Sequence, residues 1–199
     1  MGRTAGDRPS AARSRLLGTA SRIFYSEGLH TVPVDRILEE ADTTRATFYR
    51  HFPGKEDLVV AYLQEADRRL RERLDETRAA HGSAEDALRA IGADIAADVQ
   101  APGFRGCAFL NAAAEYPDPT HPVHRQVVAH REWFLGALSD LFAQVGDGLA
   151  EPAARHFVML RDGAMAAGCL SDPVAVSRTF LDGVTGLLWS RTVPGVPRG

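Results

Sequence analysis

The segment Thr-Thr-Arg-Ala-Thr-Phe-Tyr-Arg-His-Phe-Pro-Gly-Lys at residues 43–55 holds the clearest local structural signal in this chain. A threonine before Arg45 can cap the free backbone donors of a helix that begins there. Phe48 and Phe52 are four residues apart, so a helix places them on one side, where they can pack into a core. Pro53 ends the helix because it has no backbone donor and restricts the residue before it. About two turns of helix are not stable alone, so the pattern predicts a short helix held by neighbours, with an outward polar and cationic face.

Two segments upstream supply those neighbours. Apolar residues recur at helical spacing over residues 10–27, and Gly28 provides a C-terminal stop. Pro33 suits the first turn of a second helix, and a short turn over residues 41–44 then leads into the third. A helix, a tight turn and a short helix with outward polar residues form a helix-turn-helix, which places its recognition helix in the DNA major groove.

Residues 10–60 resemble the DNA-binding domain of TetR-family transcriptional repressors. The resemblance is most specific at residues 47–58, where the chain carries the family pattern Thr-Phe-Tyr-x-His-Phe-x-x-Lys-x-x-Leu. The usual Gly-Val-Ser turn of the family is Asp-Thr-Thr at residues 42–44, which adds a negative charge near the expected DNA surface.

The resemblance implies an all-α fold in two parts. An N-terminal three-helix DNA-binding domain with a helix-turn-helix is expected over residues 10–56, and a larger helical ligand-binding and dimerisation domain over residues 57–192. Periodicity and capping signals predict the body helices at about residues 55–80, 83–99, 105–115 and 122–145, and from near Pro152 and Pro173 onward.

Residue types and the resemblance together predict which side chains contact DNA. An arginine of the third helix can form a bidentate bond to guanine, and Thr47 can contact a thymine methyl group. Tyr49 and Lys55, the only lysine in the chain, match family positions that grip the phosphate backbone without reading sequence. Packing is the alternative role for Tyr49, and helix-end capping is the alternative for His51. The predicted DNA-binding residues are Thr43, Thr44, Arg45, Thr47, Tyr49, Arg50, His51 and Lys55.

Aromatic and small polar side chains are concentrated between residues 104 and 134. Small-molecule sites are usually cavities lined by apolar groups with a few polar ones. TetR-family proteins hold an effector in the C-terminal domain, where binding moves the linking helix and spreads the two DNA-binding domains. Each aromatic side chain taken alone could instead belong to the core. The predicted ligand-binding residues are Phe104, Cys107, Leu110, Asn111, Tyr116, Trp133 and Phe134.

The last two predicted helices carry more apolar surface than one small core requires. We expect the excess to be buried in a homodimer, with two helices from each subunit in a four-helix bundle. A helix-turn-helix also works best as a dimer that reads two half-sites. The predicted interface residues are Phe157, Gly163, Ala167, Phe180, Val184, Leu187 and Leu188.

Charge is distributed unevenly along the 199 residues, whose formal net charge is −3. Through residue 55 there are nine basic and six acidic side chains, a balance of +3, so the remainder carries −6. A basic head on an acidic body suits specific rather than indiscriminate nucleic-acid binding. The expected function is a repressor whose partners are double-stranded operator DNA, a second copy of the chain and a small, largely apolar effector. The alternative is a helical ligand-binding protein with a degenerate DNA-binding head, which only Asp42 supports.

Other classes of protein lack a signature in the sequence. No nucleophile elbow, glycine-rich phosphate loop or HExxH pattern is present, so we expect neither an enzyme nor a cofactor. His121, His124 and His130 match no metal motif, so no metal site is expected. Cys107 and Cys169 match no redox spacing and are expected to be core residues. No apolar run could cross a membrane and no apolar signal segment is evident, which predicts a cytoplasmic protein without a membrane partner.

Overall fold

The computed structural model describes residues 10–146 and 149–192, which form nine α-helices and no β-strand within those ranges. The helices are α1 (Ala11–Glu27), α2 (Val34–Glu40), α3 (Arg45–His51), α4 (Lys55–Ala80), α5 (Ala84–Gln100), α6 (Ala108–Glu115), α7 (Pro122–Phe142), α8 (Ala150–Ala167) and α9 (Pro173–Thr192). This arrangement confirms the predicted all-α fold. None of these helices is both long enough and apolar enough to cross a bilayer.

Local chemistry shapes the start of α1 and the turns on either side of α2. The Ser10 hydroxyl accepts a hydrogen bond from the Arg13 amide at 3.2 Å, which caps the start of α1. Helix α2 begins after Pro33 rather than including it. In the turn between α2 and α3, Asp42 has a φ of +44°, in the left-handed region where aspartate is tolerated better than most residues.

The head, residues 10–54 with α1, α2 and α3, closes its core against the first turns of α4. The side chains that meet there are fully or almost fully buried. They include Leu16, Ile23, Ile37, Phe48 and Leu58. Helices α2 and α3 have only seven residues each, so this packing, rather than intrinsic helix stability, holds them in place.

The body, residues 81–146 and 149–192 with α5 to α9, packs against the remainder of α4. Helix α5 packs on α9, α8 lies against both α7 and α9, and α4 contacts α5 and α7. Helix α6 begins at Ala108, three residues later than predicted. The preceding loop contains Pro102 and two glycines with positive φ, Gly103 at +77° and Gly106 at +81°, which no helix accommodates. Helix α8 begins two residues earlier than predicted, with Pro152 in its first turn.

The two cysteines differ in environment. Cys107 is buried, as expected, whereas Cys169 is exposed. Cys169 follows the last residues of α8 in the turn toward α9, so the expectation that both cysteines are core residues is wrong for Cys169.

Asp67 of α4 is a charged residue that lies on the buried side of its helix. It is 9% exposed, and its carboxylate accepts hydrogen bonds from His130 Nδ1 and Arg71 Nε, both at 2.6 Å. The His130 ring stacks on Phe109 with centroids 3.6 Å apart. Position 67 continues the apolar series of Leu63, Leu70 and Leu74 at helical spacing, and this signal places it on the inward face.

We predict that His130 makes the stability of the protein pH-dependent. Burial lowers the pKa of His130 below its usual 6.5, and the hydrogen bond that His130 donates to Asp67 opposes this only partly. The folded state therefore binds fewer protons than the unfolded chain as pH falls through about 6.5, so stability is lost toward acid pH. Urea unfolding should show that the free energy of unfolding decreases more between pH 7.5 and pH 5.5 for wild type than for His130→Asn. At pH 7.5 the variant should be less stable by about 1–3 kcal/mol. Equal acid losses in the two proteins would contradict this role.

Candidate nucleic-acid interface and ligand cavity

The predicted DNA-contact residues lie on α3 and on the turns at its two ends. Arg45 and Arg50 are exposed, and Tyr49 is 52% exposed with its ring edge on Phe48 at a centroid distance of 5.2 Å. The Arg45 guanidinium forms an ion pair with Asp35 of α2. An exposed pair of this kind contributes about 1 kcal/mol or less, so Arg45 can exchange Asp35 for a DNA acceptor at little cost.

The three threonines of this set shape the turn before α3. The Thr43 hydroxyl donates to the Ala41 carbonyl oxygen at 3.1 Å. The Thr44 hydroxyl accepts from the Thr47 amide at 3.2 Å and donates to the Thr47 hydroxyl at 3.0 Å. Thr44 therefore caps α3 as its sequence position predicts.

His51 and Lys55, at the far end of α3, are engaged within the protein. His51 Nε2 is hydrogen-bonded to the Ser10 hydroxyl at the start of α1, at 3.0 Å. Lys55 Nζ donates to the His30 carbonyl oxygen at 3.0 Å, and burial lowers the pKa of Lys55 although Glu115 nearby opposes the shift. A phosphate contact by Lys55 would therefore require this hydrogen bond to be exchanged.

The last residue of α6 binds the head directly. The Glu115 carboxylate accepts hydrogen bonds from the Leu29 amide at 2.9 Å and the His30 amide at 2.7 Å. His30 Nε2 donates in return to the Glu115 carbonyl oxygen at 2.8 Å, and the His30 ring lies 4.5 Å from that of Tyr116. The loop between α1 and α2 is thus fixed to the C-terminal end of α6.

A second connection joins α1 to the loop before α6. The Tyr25 hydroxyl donates to the Gly106 carbonyl oxygen and accepts from the Arg105 amide, each at 3.0 Å. We call these contacts of Tyr25, Leu29, His30, Arg105, Gly106 and Glu115 the head–body joint. No local sequence pattern reveals them, since the partners lie 80 or more positions apart.

A cavity of about 780 Å³ lies beside the joint. Its walls come from α1, α4, the end of α5 with the following loop, α6 and α8. The lining residues include Ser21, Arg22, Tyr25, Tyr62, Ala66, Arg69, Leu70, Arg73, Asp98, Phe104, Cys107, Phe109, Arg161 and Met165. The volume lies within the range of about 300–1,000 Å³ that small-molecule sites occupy, and the mixture of apolar and polar side chains suits such a ligand.

Two of the seven predicted ligand residues, Phe104 and Cys107, line this cavity, and the other five do not. Leu110 and Phe134 border a separate void of about 20 Å³. The Asn111 amide donates to the Arg105 carbonyl oxygen, Tyr116 packs between His30 and His121, and Trp133 lies under Arg71. The predicted set is therefore reduced to Phe104 and Cys107, because the other five side chains make their contacts elsewhere in the protein.

The predicted dimer residues divide into an inner and an outer group. Phe157, Phe180, Val184 and Leu188 are at most 3% exposed within a single chain, so they belong to its own core and are removed from the predicted contact surface. Gly163 is exposed, and Ala167 and Leu187 are half-buried. Gly163 and Ala167 line a groove of about 370 Å³ along α8 and α9.

The three neighbouring histidines point to different partners. His121 Nδ1 accepts from the Val123 amide at the start of α7, His124 Nδ1 donates to the Tyr116 carbonyl oxygen, and His130 is bound to Asp67. Within residues 10–146 and 149–192, no three His, Cys, Asp or Glu side chains are grouped to hold a metal ion.

Comparison with known proteins gives matches to the head and to the whole chain. Residues 16–62 match the profile of "Bacterial regulatory proteins, tetR family". The crystal structure of SCO4454, a TetR-family transcriptional regulator from Streptomyces coelicolor, is 59% identical in sequence. The match covers 92% of this chain and 96% of that one, with a TM-score of 0.89.

Curated relatives match over shorter regions. The HTH-type transcriptional regulator YjdC of Escherichia coli is 30% identical over 118 residues, and the match covers 57% of this chain but only 60% of YjdC. The HTH-type transcriptional repressor AcnR of Corynebacterium glutamicum is 33% identical over 76 residues, which cover 38% of this chain and 40% of AcnR.

Two findings agree with the helix-turn-helix formed by α2 and α3. One is the match to SCO4454 over almost the whole chain, and the other is the match of residues 16–62 to the family profile. They also confirm the expectation that the protein is not an enzyme. The chain belongs to the TetR family of helix-turn-helix transcriptional regulators.

Proposed function

We propose that this regulator is a homodimeric repressor that binds a pseudo-palindromic operator and leaves it when a small, largely apolar effector occupies the 780 Å³ cavity. The observation that carries the proposal is the position of that cavity. Helix α1 of the head forms one wall, and α4, the end of α5 with the following loop, α6 and α8 form the others. A ligand in the cavity would therefore contact both the head and the body. We further propose that the protein acts in the cytoplasm, where its DNA lies.

Effector release follows from the same geometry. Tyr25 both lines the cavity and holds the loop before α6 through its hydroxyl. A ligand that displaces this loop would alter the head–body joint and the angle at which α3 is presented. Release requires that the ligand bind the DNA-incompetent arrangement more tightly, since equal affinity for both arrangements shifts nothing.

The outer face of α8 and α9 supports a homodimer. Met159 is 70%, Val174 51% and Trp189 58% exposed, which is unusual for large apolar side chains on neighbouring helices. Two copies packed through this face would form a four-helix bundle and orient two copies of α3 toward half-sites about 34 Å apart on DNA.

The two rival functions make different predictions. A regulator that activates transcription would bind the same DNA without blocking transcription. A ligand-binding protein with a degenerate head would bind operator and random DNA alike. The capped, exposed and cationic α3 favours a competent head, and the left-handed Asp42 keeps the turn closed without a glycine.

A fluorescence-anisotropy titration tests the proposal. The protein is titrated against DNA from upstream of its own gene and against scrambled DNA of equal length, at two salt concentrations. Preferential binding to the upstream DNA, together with promoter occlusion in a transcription assay, supports the repressor. Equal, weak and strongly salt-dependent binding to both DNAs would instead indicate non-specific contacts and favour the degenerate head.

We predict that Arg45→Ala weakens operator binding by about 1–3 kcal/mol and relaxes specificity, because a base-reading guanidinium is lost. The matched control is Arg89→Ala, which removes another surface arginine paired with a carboxylate, on α5 of the body. Fluorescence anisotropy with operator and scrambled DNA measures the affinity and the specificity of both variants. Operator affinity unchanged by Arg45→Ala, or lowered equally by the control, would contradict the assignment.

We predict that Gly163→Glu converts the dimer to monomers. A Cβ at Gly163 meets no atom within 4 Å in the protomer, and glutamate favours helix more than glycine does, so the chain should stay folded. The charge would nevertheless be buried in the proposed interface. Gly136→Glu on α7 is the control, since Gly136 is equally open and does not line the α8–α9 groove. Analytical ultracentrifugation should show monomers for Gly163→Glu and dimers for Gly136→Glu. A dimeric Gly163→Glu would refute this interface.

A further inference from the structure

Four arginines lie in the walls of this largely apolar cavity. The charged side chains in its walls are Arg22, Arg69, Arg73, Arg161 and Asp98. Three of the arginines have carboxylate partners at close range: Arg22 with Glu40, Arg69 with Glu65 and Arg73 with Asp98, at 2.5, 2.8 and 2.6 Å. Arg161 differs from them in burial and in partners.

Arg161 is 8% exposed, and its guanidinium is incompletely bonded. Nη1 donates to Asp162 Oδ1 at 3.0 Å and Nη2 to the Cys107 sulfur at 3.2 Å, and sulfur is a weak acceptor. Asp162 is shared with Arg131, whose Nη1 lies closer, at 2.6 Å. In the described part of the chain, the other three N–H groups of Arg161 have no acceptor, although a buried cation is stable only when paired and hydrogen-bonded.

Tyr62 of α4 offers a second unused donor. Its side chain is 6% exposed and lines the same cavity. Its hydroxyl has no hydrogen-bond partner among the described residues, and its oxygen retains some accessible surface. Burial raises the pKa of Tyr62, with Cys107 among the contributing neighbours, so the hydroxyl stays protonated and can donate. Tyr62, Cys107 and Arg161 all line the cavity.

We infer that the cavity binds an amphipathic organic acid, whose anionic head accepts hydrogen bonds from the Arg161 guanidinium and the Tyr62 hydroxyl. Its apolar body lies against Leu70, Phe104 and Phe109, which share the lining. This inference rests on the proposed function only for the identification of the cavity as the effector site.

The incompletely bonded Arg161 guanidinium and the Tyr62 hydroxyl determine which class of ligand fits the cavity. Both are donors, so a ligand must present acceptors to both, and one of them carries a positive charge. Anionic acceptors form the shorter and stronger bonds with guanidinium groups. A cationic ligand would be repelled by Arg161, and a neutral apolar ligand would bury the guanidinium while it is still incompletely hydrogen-bonded.

Two fluorescent probes separate the anionic head from the apolar body. The dye 8-anilinonaphthalene-1-sulfonate is an amphipathic acid, and N-phenyl-1-naphthylamine has the same ring system without the sulfonate. Dissociation constants for both are measured by fluorescence titration of the full-length wild type and of variants. The readout is the change for the anionic dye relative to the neutral dye.

Arg161→Met should weaken binding of the anionic dye by at least about tenfold and leave the neutral dye within about twofold of wild type. The variant should fold, because Asp162 keeps Arg131. Arg161→Lys, which retains a cation, should lose less, and Tyr62→Phe should weaken the anionic dye alone. Ala66→Phe, which fills the cavity from α4, should abolish both dyes.

An unchanged anionic-dye affinity in Arg161→Met, or equal losses for both dyes, would overturn the inference. Both dyes persisting in Ala66→Phe would overturn it too, because the cavity would then not be their site. A fluorescence-anisotropy measurement of operator binding in the presence of ligand tests the proposed release separately from the ligand class. Arg161-dependent dye binding that never releases DNA would uphold the ligand class and refute release. Release of wild type by neutral compounds, without any Arg161-dependent dye binding, would uphold release and refute the ligand class.

Discussion

Helix α4 packs against both the head and the body within one continuous hydrophobic core, and the rest of the molecule depends on this double packing. Leu58 and Val59 near its start complete the core of the head, and Leu74 further along is buried in the body. Its 26 residues form a rod of about 39 Å. Because α2 and α3 are too short to stand alone, the direction of the recognition helix is set by the first turns of α4, and the body sets the direction of α4.

Polar groups buried along α4 give this rod two different neighbours. Asp67 ties it to α7 through His130, with Arg71 as an additional donor. Tyr62, one turn and a half earlier, faces the cavity with an unused hydroxyl. The same helix is therefore fixed on one side and open on the other. A ligand in the cavity would act on the open side, close to the joint that Glu115 forms with the head.

The sequence predicts those parts of the structure that local chemistry determines. The threonine cap, the phenylalanine pair and the proline that follows place α3 within a residue of its observed bounds. Asp67 could be recognised from its position among the leucines of α4. The head–body joint could not, because the Leu29 amide and the Glu115 carboxylate are 86 positions apart and neither residue type is unusual. Likewise, the side of α6 that faces the cavity depends on packing against α7, not on the periodicity of α6.

The Glu115 carboxylate binds the backbone amides of Leu29 and His30 rather than their side chains. Every residue except proline supplies such an amide, so this part of the joint is indifferent to the identity of the side chains in the loop. Recombination could therefore place a different reading head on this body without loss of the carboxylate contact. Such an exchange would still alter the cavity, because α1 of the head forms one of its walls.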